Sequence, residues 1–189
     1  MAALGFVGGQ GMSDLITICL LLQGKVLGNL FFENSTRTRM SFESAMKRLG
    51  GEVVNLSSVG SSVAKGETLY DTMQMVDGYS DIAVIRHPRQ GAAQYSADAI
   101  GIPVLNAGDG AGNHPTQTML DLFTIRQAHG SLEGLNVVLV GDLRYGRTTH
   151  SLSHALVRFG AKLTLVSPES LRMPTEIVGD LQSHGSEIP

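Results

Sequence analysis

A chain of 189 residues has room for one full domain with an apolar core, or for one domain and part of a second. Hydrophobic content of 42% against 16% charged residues excludes a disordered or fibrous chain and indicates an ordinary soluble globular protein. The net charge of -3, with no long Lys/Arg block, argues against a nucleic-acid partner, so any positive charge with a function must be local.

The first apolar run, residues 15–22, is shorter than the about 20 residues a bilayer span takes. No basic segment precedes it and Asp14 stands at its start, so it reads as a buried helix with Ser13 or Asp14 as N-cap, not as a membrane anchor or signal peptide. The single cysteine, Cys19, lies in this run. No intrachain disulfide can form, and a buried thiol and a reducing, cytoplasmic setting are expected.

Beyond it, short β-branched or apolar runs alternate with stretches of helical period, the pattern of βα units around a parallel sheet. Strands are predicted over 26–32, 52–56, 81–85, 102–106, 136–140 and 162–166. Phe42, Ala45, Met46 and Leu49 follow the i, i+3, i+4, i+7 spacing of a helix, and Gly50-Gly51 supplies a left-handed stop. Further helices are predicted over 67–77, 90–99, 115–128, 147–159 and 175–183. The expected fold class is therefore α/β with a parallel sheet. The tract His129-Gly-Ser-Leu-Glu-Gly134 breaks the rhythm and marks a boundary between a domain over 1–129 and a partial one over 130–189. Two parallel strands alone would leave open edges and an uncovered apolar face, so the second domain is expected to be incomplete or finished by another chain.

Several segments carry residues suited to chemistry. Ser35-Thr36-Arg37-Thr38-Arg39 sits at a strand-to-helix junction, where free N–H groups, hydroxyls and a guanidinium can converge on an anion such as phosphate. The same residues could equally form an N-cap with two solvent-facing arginines. Arg86 ends a strand and could bind an anion or neutralise a carboxylate. His114, before Pro115, could face a ligand or cap a helix, and Gln117 could be a surface residue of its first turn. Ser61 and Lys65 lie in a Ser-rich tract that reads on composition as a mobile polar loop. Arg147 starts a helix after a buried strand, a place to hold a substrate carboxylate or to form an intrahelical ion pair. His150 and His154 have an i, i+4 spacing that suits zinc, but no intervening glutamate or third ligand accompanies them, so no metal is expected. Gly108-Asp-Gly-Ala-Gly112 lacks the full dinucleotide-loop spacing because Asn113 stands where the last glycine belongs.

At Phe32-Glu33-Asn34-Ser35-Thr36-Arg37-Thr38-Arg39 the sequence resembles the aspartate and ornithine carbamoyltransferase family. Four further matches follow in order: Lys65-Gly66-Glu67-Thr68 with Ser61 before it, Arg86-His87-Pro88, Asn106-Ala107-Gly108-Asp109-Gly110 leading to His114-Pro115-Thr116-Gln117-Thr118, and Gly141-Asp142-Leu143-Arg144-Tyr145-Gly146-Arg147-Thr148. The last, with the Asn106 to Gly110 turn, is similar to the aspartate branch.

The resemblance implies a carbamoyl phosphate-binding domain followed by an incomplete aspartate-binding domain, in a truncated chain. It also implies transfer of the carbamoyl group to the α-amino group of L-aspartate in pyrimidine biosynthesis, without metal or organic cofactor. Ser35, Thr36, Arg37, Thr38 and Arg86 would bind the phosphate dianion. Thr38, Arg86 and His114 would donate to the carbonyl oxygen as it gains charge, and Gln117 would orient the carbamoyl NH2. Arg147 would hold the aspartate α-carboxylate, and Ser61 and Lys65 would reach a neighbouring subunit's site in a homotrimer, with regulatory chains left open. Ornithine as the acceptor is one alternative. A non-catalytic module that binds carbamoyl phosphate or only builds a trimer is another.

Overall fold

A computed structural model describes residues 20–57, 61–110 and 112–184. The helix predicted over 15–22, with Ser13, Asp14 and Cys19, lies outside these residues except at 20–22, which belong to a turn over 20–24. The strands are β1 (Val26–Phe31), β2 (Glu52–Ser57), β3 (Ile82–His87), β4 (Val104–Asp109), β5 (Asn136–Val140) and β6 (Lys162–Val166). The helices are α1 (Thr36–Arg48), α2 (Leu69–Tyr79), α3 (Ala92–Ala99), α4 (Pro115–His129), α5 (Arg147–Arg158) and α6 (Thr175–Ser183), with 3-10 turns at Ser62–Lys65 and Glu169–Leu171. One sheet has the order β2-β1-β3-β4 and a second pairs β5 with β6. The pairing of β1 with β2 is parallel, from Val26 opposite Glu52 to Phe31 opposite Ser57, and so is that of β5 with β6, from Asn136 opposite Lys162 to Val140 opposite Val166. The expected α/β class with parallel strands is what the chain forms. Among the described residues no helix is long and apolar enough to cross a membrane.

By contacts the chain divides into two compact units, one of the residues up to Val84 with Ala99–Pro103, the other of Ile85–Asp98 with the residues from Val104 onward.

In the first unit β1 is buried along nearly its whole length, as expected of a central parallel strand, and includes the fully buried Asn29. Asn29 Nδ2 donates to Asn55 Oδ1 at 2.8 Å, and Asn55 Nδ2 donates to Glu43 Oε2 at 3.3 Å, so a polar chain ties β1 through β2 to α1. α1 ends as predicted. Gly50 takes φ +84°, its N–H donates to Lys47 O, and the Gly51 N–H donates to Met46 O, which satisfies the last carbonyls of the helix. Of the predicted stripe Met46 is buried, Phe42 and Leu49 are half-buried, and Ala45 is exposed. α2 begins two residues later than predicted because Thr68 is its N-cap, with Oγ1 accepting the Asp71 N–H at 3.2 Å. At its far end the Asp77 carboxylate accepts the N–H groups of Gly101 and Ile102, which holds this segment in a turn and delays β4 to Val104.

Lys25 Nζ donates to Asp81 Oδ1 at 2.8 Å and the Val26 N–H to Asp81 Oδ2 at 2.8 Å. The Lys25 hydrogen bond first, then that of Val26, holds the Asp81 carboxyl below its ordinary value. A depressed carboxylate contributes stability that is present above its unfolded-state value and lost as pH falls through the folded one. Asp81→Asn is therefore expected to lower the thermal midpoint at pH 7, with the gap from wild type closing in strongly acid buffer. A gap independent of pH would refute this.

In the second unit a core forms from Leu139, Leu143, Leu156, Val157, Ala161, Leu163, Met173 and Leu181. It lies on one face of the β5–β6 pair. On the other face Val138, Val140 and Val166 are exposed. α5 ends by the same device as α1, with Gly160 at φ +69° and the Ala161 N–H on Leu156 O. Leu156 is wholly buried, so Leu156→Ala should cost about 2 to 5 kcal/mol of stability, read from denaturant unfolding.

Candidate active site

The residues expected to act fall in both units. In the first, Ser35 is the N-cap of α1 with an extended backbone, and its side chain makes no capping hydrogen bond. The first turn of α1 contains no acidic residue. The N–H groups there are thus presented without a competing carboxylate, and the helix dipole adds to their attraction for an anion. Phe31, Asn34, Ser35, Thr36, Arg39, Met40 and Ser57 line a hollow of about 400 Å³ at this junction. Arg39, not Arg37, lines it; Arg37 is exposed and Thr38 half-buried. Ser61 precedes the 3-10 turn whose last residue is the exposed Lys65, and Gly66 closes that turn at φ +96°.

The second unit gathers three expected residues around one turn. Arg86, only 7% exposed, leaves the C-terminal half of β3, and its Nη1 donates to Ala107 O at 3.2 Å. The same nitrogen lies 3.4 Å from His114 Nε2. A guanidinium can only donate, so the contact places the ring proton on Nδ1, where Thr116 Oγ1 lies at 3.4 Å. His114 is buried and its side chain makes no capping hydrogen bond, so capping is not its role. Its backbone N–H donates to Ser151 Oγ at 3.1 Å, and Ser151 Oγ in turn donates to Arg147 O. Arg147 Nη1 donates to Gly110 O at 2.6 Å.

Gly108 is the point on which these groups converge. It has φ +120°, and its N–H donates to Asn106 Oδ1 at 2.7 Å. A Cβ there would stand 3.1 Å from Arg86 Nη1 and 3.6 Å from Arg147 Cζ. Only glycine permits both the backbone angle and the close approach of two guanidinium groups. Gln117, in the first turn of α4, directs Nε2 to Asp121 Oδ1 at 3.0 Å, which leaves its carbonyl oxygen as the acceptor.

The two histidines with zinc-like spacing have other partners. His150 Nε2 donates to Leu143 O at 2.7 Å, and His154 Nδ1 pairs with Asp180 Oδ2 at 3.1 Å. Among the described residues no group of three or more His, Cys, Asp or Glu could hold a metal ion. Sequence reasoning passed over two residues of this region, Ser151 and Asp109. Asp109 is buried and accepts N–H groups from Gly91 and Asn113. An aspartate inside a glycine-rich turn was the available signal, since such side chains bond nearby backbone.

One unit thus carries a strand-to-helix junction with free N–H groups, and the other carries two arginines and a histidine around a glycine turn. The model of the family described as aspartate/ornithine carbamoyltransferase, carbamoyl-P binding domain, matches residues 10–127, more than half of the chain, and the chain belongs to that family. Its relatives include the aspartate carbamoyltransferase catalytic subunit of Methanothrix thermoacetophila, 58% identical over 169 residues that cover 89% of this chain and 55% of the relative. That of Archaeoglobus fulgidus is 57% identical over 164 residues, 86% of this chain and 55% of the relative. Among solved structures, the M. jannaschii aspartate transcarbamoylase catalytic subunit matches with a TM-score of 0.84 at 48% identity, over 94% of this chain and 58% of that one. Aspartate transcarbamoylase from Trypanosoma cruzi in complex with carbamoyl phosphate and aspartate matches with a TM-score of 0.86 at 48% identity, over 93% and 57%. The chain thus spans about half the length of the curated relatives it matches.

Proposed function

We propose that this chain carries the carbamoyl phosphate half of an aspartate carbamoyltransferase, which transfers the carbamoyl group to the α-amino group of L-aspartate and releases phosphate. The gathering of Arg86, His114 and Arg147 around the Gly108 turn is the observation that carries this reading. The phosphate dianion would take N–H groups and side chains of Ser35, Thr36, Arg37 and Thr38, with a charge-assisted fork from Arg86. As the amine attacks, negative charge grows on the carbonyl oxygen, and Thr38, Arg86 and His114 are the donors assigned to it. Donation by His114 through Nε2 requires a proton there, so substrate must displace the Arg86 contact and change the ring's tautomer or charge. Gln117 offers its carbonyl oxygen to the carbamoyl NH2, and Arg147 is assigned the aspartate α-carboxylate.

Residues 1–129 would form the carbamoyl phosphate-binding domain and residues 130–189 the start of the aspartate-binding domain. Ser61 and Lys65 are assigned to a neighbouring subunit's site in a cytoplasmic homotrimer. Sedimentation tests this, because an active enzyme that is strictly monomeric contradicts those roles.

Calorimetric titration of the 189-residue protein with carbamoyl phosphate should show binding, and Arg37→Ala should weaken it by about 10-fold or more. Absence of heat with the wild type would sink the reading. A steady-state assay of the whole parent protein should yield carbamoyl-aspartate; carbamoyl-ornithine would overturn the choice of acceptor. A second reading is that these 189 residues bind the phosphate ligand without turnover. Turnover of aspartate by this chain at an ordinary enzymatic rate would dismiss it.

A further inference from the structure

We propose that Asp109 is a positioning residue for the carbamoyl phosphate site, its buried carboxylate setting the separation of Arg86 and His114; this rests on the functional reading above. Asp109 is the last residue of β4 and is 5% exposed. Its Oδ2 accepts the Gly91 N–H at 3.0 Å and its Oδ1 accepts the Asn113 N–H at 2.7 Å. Gly91 belongs to the segment that leaves β3 after Arg86, and Asn113 immediately precedes His114. One carboxylate therefore spans the two connections that carry the guanidinium and the imidazole.

Backbone bonds run alongside. The Gly110 N–H donates to His87 O at 2.8 Å, the Gly112 N–H to Asp109 O at 3.0 Å, and the Asp109 N–H to Asn113 O at 3.3 Å. A change of side chain does not remove these, so the turn keeps a scaffold without the carboxylate. What the side chain adds is a pair of charge-assisted bonds to two different connections, each stronger than its neutral counterpart. The fit is close, since a Cβ on Gly112 would come to 3.0 Å from Asp109 Oδ1. Buried, and with each oxygen bonded to a backbone N–H, the carboxylate acts through the groups it places. The 3.4 Å spacing of Arg86 Nη1 and His114 Nε2 is the quantity it controls.

Asparagine at 109 keeps the shape but has one acceptor oxygen, and its Nδ2–H group would face the second N–H. The test compares wild type, Asp109→Asn and Leu181→Ala as the 189-residue protein. Leu181→Ala empties a buried core position and lowers stability without altering either tie. The ring nitrogen resonances of His114 and the amide exchange of Gly91 and Asn113 are recorded without ligand, and carbamoyl phosphate is then titrated by calorimetry. In Asp109→Asn one of the two amides is expected to exchange about 10-fold faster or more. The His114 Nε2 resonance should move and the carbamoyl phosphate Kd should rise by about 10- to 100-fold. Leu181→Ala should change neither the ring nor the affinity.

The proposal is overturned if Asp109→Asn leaves His114 and the affinity as in wild type, or if Leu181→Ala shifts both to the same extent. A wild type that fails to bind carbamoyl phosphate defeats the functional reading instead, and the ligand-free resonances alone then decide on Asp109. Should the asparagine variant not fold, Asp109→Ser, which retains one acceptor and no charge, takes its place in the same comparison.

Discussion

Replacing Arg86 by glutamine should weaken carbamoyl phosphate binding by more than about 100-fold, near 3 kcal/mol, the upper range for a hydrogen bond to a charged group. The side chain is only 7% exposed, so its charge acts with little screening by water, and its fork reaches Ala107 O and His114 from one nitrogen. Glutamine keeps much of the length but neither the charge nor the five donors. Arg86→Lys separates charge from geometry, because lysine retains the first and loses the planar fork. If charge alone matters, lysine restores most of the affinity. The arrangement here predicts that it restores little, since Ala107 O and a ligand would compete for one ammonium. Calorimetry on the three proteins decides, and a glutamine variant with wild-type affinity would remove Arg86 from the site.

Gly108→Ala is expected to damage binding and stability together, for separable reasons. The φ of +120° is strained for any residue with a Cβ, at a cost of about 1 to 3 kcal/mol. The methyl would stand 3.1 Å from Arg86 Nη1, so the guanidinium must withdraw by a few tenths of an ångström. A displacement on that scale at a charge-bearing site lowers affinity by about 10- to 100-fold. Gly141→Ala makes the instructive comparison. Its φ of +128° imposes similar backbone strain, but a Cβ there would meet nothing within 4 Å. Its loss should therefore show mainly in the thermal midpoint, whereas that of Gly108→Ala should show in both midpoint and Kd. Equal effects of the two on affinity would contradict the special place of Gly108.

The regular elements were legible wherever a single local rule governs them. Strands β5 and β6 and helix α6 have the bounds that periodicity and β-branching predict. Helices α1, α4 and α5 stop where Gly50, Gly130 and Gly160 take the left-handed conformation. Two of the misses occur where side chains bond backbone. Thr68 shortens the start of α2, and Asp77 holds Gly101 and Ile102 out of β4. The candidate site divides in the same way. Arg86, His114 and Arg147 stand at element ends, where a charged or aromatic side chain after an apolar strand is conspicuous. Ser151 meets the His114 N–H across 37 positions of sequence, and Asp109 meets the Gly91 N–H across 18. Neither contact leaves a periodic trace, because each is a single side chain bonded to a distant backbone group.

Arg86 and Arg147 flank the same peptide unit at Gly108, and two like charges so placed attract an anion. On the proposed function a dianion binds there, and linkage then raises the stability of the folded chain by RT ln(1 + [L]/Kd). Inorganic phosphate, sulfate and similar buffer ions would share this effect in proportion to their affinity. Thermal midpoints measured in phosphate buffer would then describe a partly liganded protein, and those measured in a zwitterionic buffer the bare one. Choice of buffer thus becomes an experimental variable of the site itself, and added salt should narrow the difference by screening the pair.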